Sequence, residues 1–280
     1  MDTGALKWHF QYTPGDDMDY DEVGSQMLVD TQIDGQDRKV LAHFGRNGLF
    51  YTLDRTNGSY IASGQYVKQL TWTKGLDPKT GLPMEYDPTS SLQTCAMGAP
   101  TRAGATATTC PNYQGGVNFF PAAYNPVTGM AYGAGIEGCT ELSIATIAPE
   151  DVVAGQIFQA GAGVASGVQA GSITMVDVKS SKQVAKHDTP YPFYSGVLLT
   201  PDLVWAGSPD GTFAANDATT LEEKWSLNVG SAFAAPPITY TANGKQYIAI
   251  AGGGIGLAAF GQPELQMKQA ANMLWVFALE

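Results

Sequence analysis

The chain has 280 residues, of which 15 % are charged and 44 % hydrophobic, with a formal net charge of −11. That length suits one large domain or two small ones, and the acidic balance argues against a nucleic-acid partner, whose phosphates demand clustered lysine and arginine. No apolar run approaches the ~18 residues that span a membrane, and no basic segment, apolar core and cleavage site marks a signal peptide. The 33 glycines and 16 prolines point to turn-rich β-structure rather than a helical bundle.

The first informative segment is Asp16-Asp17-Met18-Asp19-Tyr20-Asp21-Glu22. Carboxylates at this density suit a hard cation, which takes oxygen ligands. Asp17, Asp19 and Asp21 match the start of an EF-hand loop, but Glu22 then stands where glycine is required. Leu28 stands where a bidentate glutamate is required, so that loop is excluded. Next comes His43-Phe44-Gly45-Arg46-Asn47-Gly48-Leu49-Phe50-Tyr51-Thr52-Leu53-Asp54-Arg55. Its Arg46 offers a rigid fork of donors that can hold the oxygens of an anionic or quinone-like ligand. His9, His43 and His187 are scattered without metal-ligand spacing and read as ordinary surface or loop histidines.

A repeat follows in register. Gly48 to Asp54, Gly171 to Asp177 and Gly211 to Asp217 each run from a glycine through a short strand-like stretch to an aspartate. The aspartate opens a turn, because Asp and Asn bond their own following backbone and glycine accepts positive φ. Similar turns begin at Asp2 and Asn125, so the onsets are separated by 52, 71, 52 and 40 residues. Blades of a β-propeller run ~40–50 residues, so most intervals read as single blades, each an antiparallel four-stranded sheet. The stretch from about 77 to 170 is poorly periodic. Ala99 to Thr109 and Ala154 to Gly171 within it read as loop insertions in one domain spanning 1–280.

Of the three cysteines, Cys95, Cys110 and Cys139, none forms a C-x-x-C pair, which leaves structural zinc and c-type haem attachment unsupported. Gly252 to Gly256 lies outside any βαβ pattern and is not a dinucleotide fingerprint. No G-x-S-x-G nucleophile elbow occurs.

These blocks resemble the quinoprotein alcohol dehydrogenases, which depend on pyrroloquinoline quinone (PQQ) and include methanol and ethanol dehydrogenases. Met18-Asp19-Tyr20 is similar to the family's W-D-Y motif, and Arg46 to Arg55 to its arginine block. The turns leading to Trp8 and Trp225, each read as beginning or ending a strand, resemble its tryptophan motif. The resemblance implies an all-β fold, the C-terminal half of an eight-bladed propeller, with the N-terminal half of the ring and its metal ligands missing upstream. The chain then reads as a partial product of a longer enzyme.

The resemblance also implies a function: oxidation of a primary alcohol by hydride transfer to PQQ, with Asp19 as the base. Arg46, Asn118 and Phe119 would contact the cofactor, and Asp19 and Asp21 would ligate Ca²⁺ or, given the second aspartate, a lanthanide ion. Cys110 and Cys139 match a family disulfide that would add ~3–4 kcal/mol and imply an oxidising compartment, here the periplasm, with Cys95 left free. A small alcohol would be the substrate and a cytochrome c-type protein the electron acceptor. The other class is a non-catalytic propeller serving as a scaffold in the cell envelope, which has no reason to keep Asp19, Arg46 and Asn118 together.

Overall fold

The computed structural model describes residues 3–91, 93–96, 106–145, 147–156, 160–254, 260–266 and 271–278. It contains four antiparallel sheets in chain order. The first is β1 (Met27–Ile33), β2 (Gln36–Phe44), β3 (Leu49–Asp54) and β4 (Tyr60–Gln65), paired in that sequence. The second comprises β5 (Thr106–Thr109), β6 (Ala123–Asn125), β7 (Met130–Ile144), β8 (Gly161–Asp177) and β9 (Lys182–Thr189). The third is β10 (Val197–Leu199), β11 (Leu203–Gly207), β12 (Thr212–Asp217) and β13 (Glu223–Asn228), again a simple meander. The fourth has β14 (Ile238–Ala242), β15 (Lys245–Gly252) and β16 (Met273–Ala278), with a short helix α1 (Pro263–Gln266) before its last strand. No described helix is long and apolar enough to cross a membrane.

Successive sheets pack face to face through separate apolar clusters. Phe44, Phe50 and Val40 of the first sheet meet Ala131 and Val176 of the second. Ile173 and Met175 of the second meet Val204 and Ala206 of the third. Trp205 and Phe213 of the third meet Ile248 and Ile250 of the fourth. Alternate residues of a strand point to opposite faces, so β11 sends Val204 and Ala206 one way and Trp205 the other. Because both faces are covered, its sequence reads as a continuous apolar run. Burying each such side chain stabilises by roughly 1.5–3 kcal/mol, and this radial stack is that of a β-propeller.

The glycine-to-aspartate repeat marks the third strand of three sheets, where β3, β8 and β12 end at Asp54, Asp177 and Asp217. In each following turn the carboxylate accepts backbone N–H groups, for example those of Thr56 on Asp54 and of Thr219 and Thr220 on Asp217. The residue four places after the acid is left-handed: Gly58 in the first turn, but Ser181 and Leu221 in the others. Non-glycine residues filling that position explain why only some of the turns advertise themselves with glycine.

Three expectations need correction. The stretch from 77 to 170 is not a loop insertion, since β5, β6, β7 and the first half of β8 lie within it. Strands β7 and β8 pair from Met130–Asp177 out to Ile144–Gly161, which carries them beyond the blade, where β5 joins them. Their small-residue composition hid this, because alanine, glycine and threonine give little hydrophobic alternation. The turn intervals are also not all single blades: Asp177 to Asp217 is one, from the end of β8 to the end of β12, but Asn125 is out of step. Asn125 opens the β6–β7 turn and Asp177 the β8–β9 turn of the same sheet. Finally, Trp8 lies outside any strand and Trp225 sits within β13 rather than at an end. Trp8 instead covers the Asp54 turn, donating from Nε1 to Arg55 O at 3.1 Å, and leaves room only for glycine at 58. Asp2, residues 99–105, Gly252-to-Gly256 beyond 254, and Leu279 lie outside the described residues.

The turn carboxylates contribute to the stability of the fold towards acid. Hydrogen bonds from Thr56 hold Asp54 below the usual carboxylate range, and the N–H groups of Thr220 and Thr219 do the same for Asp217. A depressed folded pKa gives stability that is present above the unfolded value, ~3.9, and lost as pH falls through the folded one. Thermal unfolding should therefore fall off below about pH 4, and Asp54→Asn with Asp217→Asn should flatten that fall. An unchanged acid limb in the double variant would show that other groups set it.

Candidate active site

The Arg46 turn between β2 and β3 is fixed on every side. Gly45 N donates to Leu49 O at 2.9 Å, Tyr66 OH to Gly45 O at 2.7 Å, and Trp72 Nε1 to Asn47 O at 2.8 Å. Gly48 has φ +90°, and a Cβ there would fall 2.6 Å from Val67 Cγ2, so the turn requires glycine on both counts. Gly115 packs against Arg46 in the same way, and Gly116 N donates to Arg46 O at 2.8 Å. The loop after β5 is thereby seated on the arginine.

The acidic segment folds over this turn. Asp16 accepts Met18 N at 2.9 Å and Tyr20 N at 2.6 Å, bracketing Asp19, which takes a left-handed φ of +67°. Aspartate tolerates that region better than most residues, and such strain persists only where surroundings over-determine it. Tyr20, fully buried, ties the segment down by donating to Pro111 O at 2.5 Å beside Thr109 Oγ1 at 3.0 Å. Leu142 of the β7–β8 extension packs in the same cluster as Met18, Tyr20 and Trp72. Crowding by the loop pushes the Asp16 carboxyl up to about 6, with Asp17 adding to the effect and the two N–H groups opposing it.

Asp19 and Asp21 then converge on one guanidinium. Arg46, 5 % exposed, donates from Nη1 to Asp21 Oδ1 at 2.6 Å and from Nη2 to Asp19 Oδ2 at 3.2 Å. Nη2 also reaches Tyr113 O at 2.9 Å, while the buried Nε has no partner. Both carboxylates are largely open to solvent, with side chains 60 % and 63 % exposed. Desolvation raises the Asp19 pKa, Arg46 opposes, and the neighbouring Asp21 raises it further. A carboxylate of raised proton affinity next to a fixed cation is suited to accept a proton.

This chain is similar over nearly its whole length to known proteins. A family model described as the glucose/ethanol/alcohol dehydrogenase β-propeller domain, PQQ, matches residues 1–66. The quinoprotein alcohol dehydrogenase PedH of Pseudomonas putida is 33 % identical over 287 residues, covering 99 % of this chain and 47 % of that protein. A quinoprotein ethanol dehydrogenase of the same species is 32 % identical over 99 % of this chain and 45 % of its own length. Among solved structures, a europium-containing methanol dehydrogenase superposes with a TM-score of 0.85 at 27 % identity, over 99 % of this chain and 51 % of that one. The quinohemoprotein alcohol dehydrogenase of Comamonas testosteroni gives 0.82 at 28 % identity, over 99 % and 41 %. The chain is a relative of the quinoprotein alcohol dehydrogenases. It spans about half the length of the relatives it matches.

Within this chain, Cys110 and Cys139 are bonded at an S–S distance of 2.01 Å, and Cys95 is free of any disulfide. The bridge ties the β5 end to β7 where the extension leaves the blade. Closing a loop of sequence separation 29 is worth about 3.5 kcal/mol by chain entropy. Cys110→Ser with Cys139→Ser should therefore lower stability by about that amount, read by denaturant melting of oxidised wild type against the variant. A loss no larger than reduction-insensitive scatter would mean the β5–β7 pairing alone holds the extension.

Asn118 lies on the loop seated on Arg46. Its Nδ2 donates to Gln114 O at 2.8 Å and its Oδ1 accepts Phe119 N at 2.9 Å, while its carbonyl lies beside Gly24. Phe119 is 62 % exposed, against Phe120, which is buried on Tyr194 at 5.2 Å between ring centroids. Asp19, Asp21 and Arg46 are thus in direct contact, and Asn118 and Phe119 sit on the adjoining loop, where Asn118 bonds to Gln114 and Phe119.

His43 overturns its sequence reading. It is fully buried on β2, with Nε2 2.7 Å from Glu22 Oε2 and Nδ1 3.1 Å from Ser25 O. Glu22 passed as one more charge of an acidic run. The one available signal was a histidine three residues before the arginine in a strand pattern.

Proposed function

We propose that the full-length product is a PQQ-dependent alcohol dehydrogenase and that this segment supplies its proton acceptor and a cofactor-holding arginine. The observation that carries the reading is the Asp19–Arg46–Asp21 contact, with a buried guanidinium Nε left without an acceptor. A quinone or carboxylate oxygen of PQQ is an acceptor of the kind that Nε lacks. Two solvent-open carboxylates fit a hard cation, which takes six to eight oxygens; among the described residues no group of three ligating side chains forms, so Asp19 and Asp21 give part of that set. PQQ, when bound with its metal ion, supplies a hydride acceptor polarised by a Lewis acid. Asp19 takes the hydroxyl proton of a primary alcohol. Arg46 would hold the cofactor's oxygens, where its fixed positive charge would favour negative charge. Asn118 and Phe119 would contact the cofactor from the adjoining loop. A disulfide suits the oxidising periplasm, where a cytochrome c-type protein would receive the electrons.

The metal preference follows from Asp21. An added carboxylate balances a trivalent ion better than a divalent one, so a lanthanide is favoured over Ca²⁺. The europium-containing methanol dehydrogenase is a structural neighbour of this chain, which supports that reading. The test is dye-linked oxidation of ethanol by the full-length protein with PQQ and either Ca²⁺ or La³⁺. Wild type should gain from La³⁺ and Asp21→Ala should lose that gain. Equal activity of both with Ca²⁺, and none extra with La³⁺, would reduce Asp21 to a partner of Arg46.

A further inference from the structure

We propose that Glu22 is a positioning residue for Arg46, with His43 as its buried counterpart; the inference rests on the cofactor role of Arg46 given above. The side-chain partners of Arg46, Asp19 and Asp21, are open to solvent and are the groups that the proposed chemistry engages. A guanidinium that relied on them alone would be released whenever they turned to a cation or a substrate. Its backbone has a separate anchor. Glu22 Oε2 accepts Arg46 N at 3.2 Å and, on the same oxygen, faces His43 Nε2 at 2.7 Å.

That oxygen joins two segments. Glu22 directly follows Asp21, so its carboxylate ties the Asp19–Asp21 loop to the turn that carries Arg46. The Glu22 side chain is 14 % exposed and that of His43 is 0 % exposed. The ring is packed by Tyr12, 5.1 Å away between centroids, and by Gly24, where a Cβ would fall 3.1 Å from Cε1. Both ring nitrogens face oxygens, Ser25 O at 3.1 Å and Glu22 Oε2. The pair therefore needs Nδ1–H and one further proton on the line between Nε2 and Oε2. Glu22 Oε1, by contrast, is buried with no partner and lies 3.0 Å from the position of a Gly45 Cβ. A carboxylate with one oxygen orphaned is a poor device for stability, since unpaired buried polar atoms cost free energy. It is a good device for holding one backbone N–H in place.

The test measures PQQ affinity of the full-length protein by quenching of its tryptophan fluorescence, without turnover. Glu22→Ala should weaken binding by about tenfold or more. Glu22→Gln can place its amide oxygen at the Oε2 position and still accept Arg46 N, with His43 donating from Nε2, so it should keep most of the affinity that Glu22→Ala loses. Should Glu22→Ala fail to fold, Glu22→Asp keeps the charge but withdraws the carboxylate by one carbon, and it too should bind weakly. Wild-type affinity in Glu22→Ala or Glu22→Asp, or a loss in Glu22→Gln equal to that in Glu22→Ala, would overturn the inference. A wild-type protein that binds no PQQ overturns the functional reading instead.

Discussion

Asp19→Asn should lower alcohol oxidation by the full-length protein about 10²–10⁴-fold while leaving its stability within about 0.5 kcal/mol of wild type. The substitution is nearly isosteric and keeps an oxygen that can accept the Arg46 Nη2 donor, now 3.2 Å from Oδ2. Asparagine also tolerates the left-handed φ of +67° at this position at least as well as aspartate. The Asp16 bracket, made only to the backbone of Met18 and Tyr20, is untouched. What the change removes is the capacity to take a proton. Dye-linked turnover and PQQ affinity measured together separate the two roles: affinity should hold while turnover collapses. Turnover within a few-fold of wild type would assign the base elsewhere.

Glu137→Leu should destabilise the fold by about 3–5 kcal/mol, the cost of leaving a buried charge without its partner. Glu137 lies on β7, and its Oε1 accepts the Lys186 ammonium of β9 and the Ser172 hydroxyl at 2.9 Å. Its Oε2 accepts Lys68 N at 2.8 Å, and Lys186 also donates to Tyr66 O. The side chains of Glu137 and Lys186 are 6 % and 11 % exposed. Tyr66 and Lys68 follow β4, so the cluster latches the exit of the first sheet onto the second. The double variant Glu137→Leu, Lys186→Met should regain most of the loss, because replacing a whole buried pair by apolar groups is near neutral. The Lys68–Asp188 pair, 2.8 Å apart but half-exposed, provides a contrast, and Asp188→Ala should cost under about 1 kcal/mol. Denaturant melting of the four proteins decides the matter. A Glu137→Leu loss no greater than that of Asp188→Ala would mean water reaches the ammonium.

The fold class was legible in the amino-acid order because it is written in short-range chemistry. Glycine-to-aspartate runs encode a third strand and the turn that closes it, since an Asp side chain caps the backbone two and three residues on. Asp19, Asp21 and Arg46 were named together through resemblance, and the structure brings their side chains into contact. The cysteine pairing was legible through resemblance and stands in the structure.

Tertiary structure alone decided the rest. Strands β7 and β8 are built of alanine, glycine, serine and threonine over much of their length, so no hydrophobic period announces them; their ladder from Met130–Asp177 to Ile144–Gly161 makes them strands. Whether a histidine is solvent-exposed or buried beneath an arginine turn depends on what folds over it. For His43 that cover is Glu22, twenty-one residues upstream, and for Glu137 it is Lys186, forty-nine downstream. Local sequence sets propensity and capping, but ion pairing at these separations exists only once the sheets have stacked.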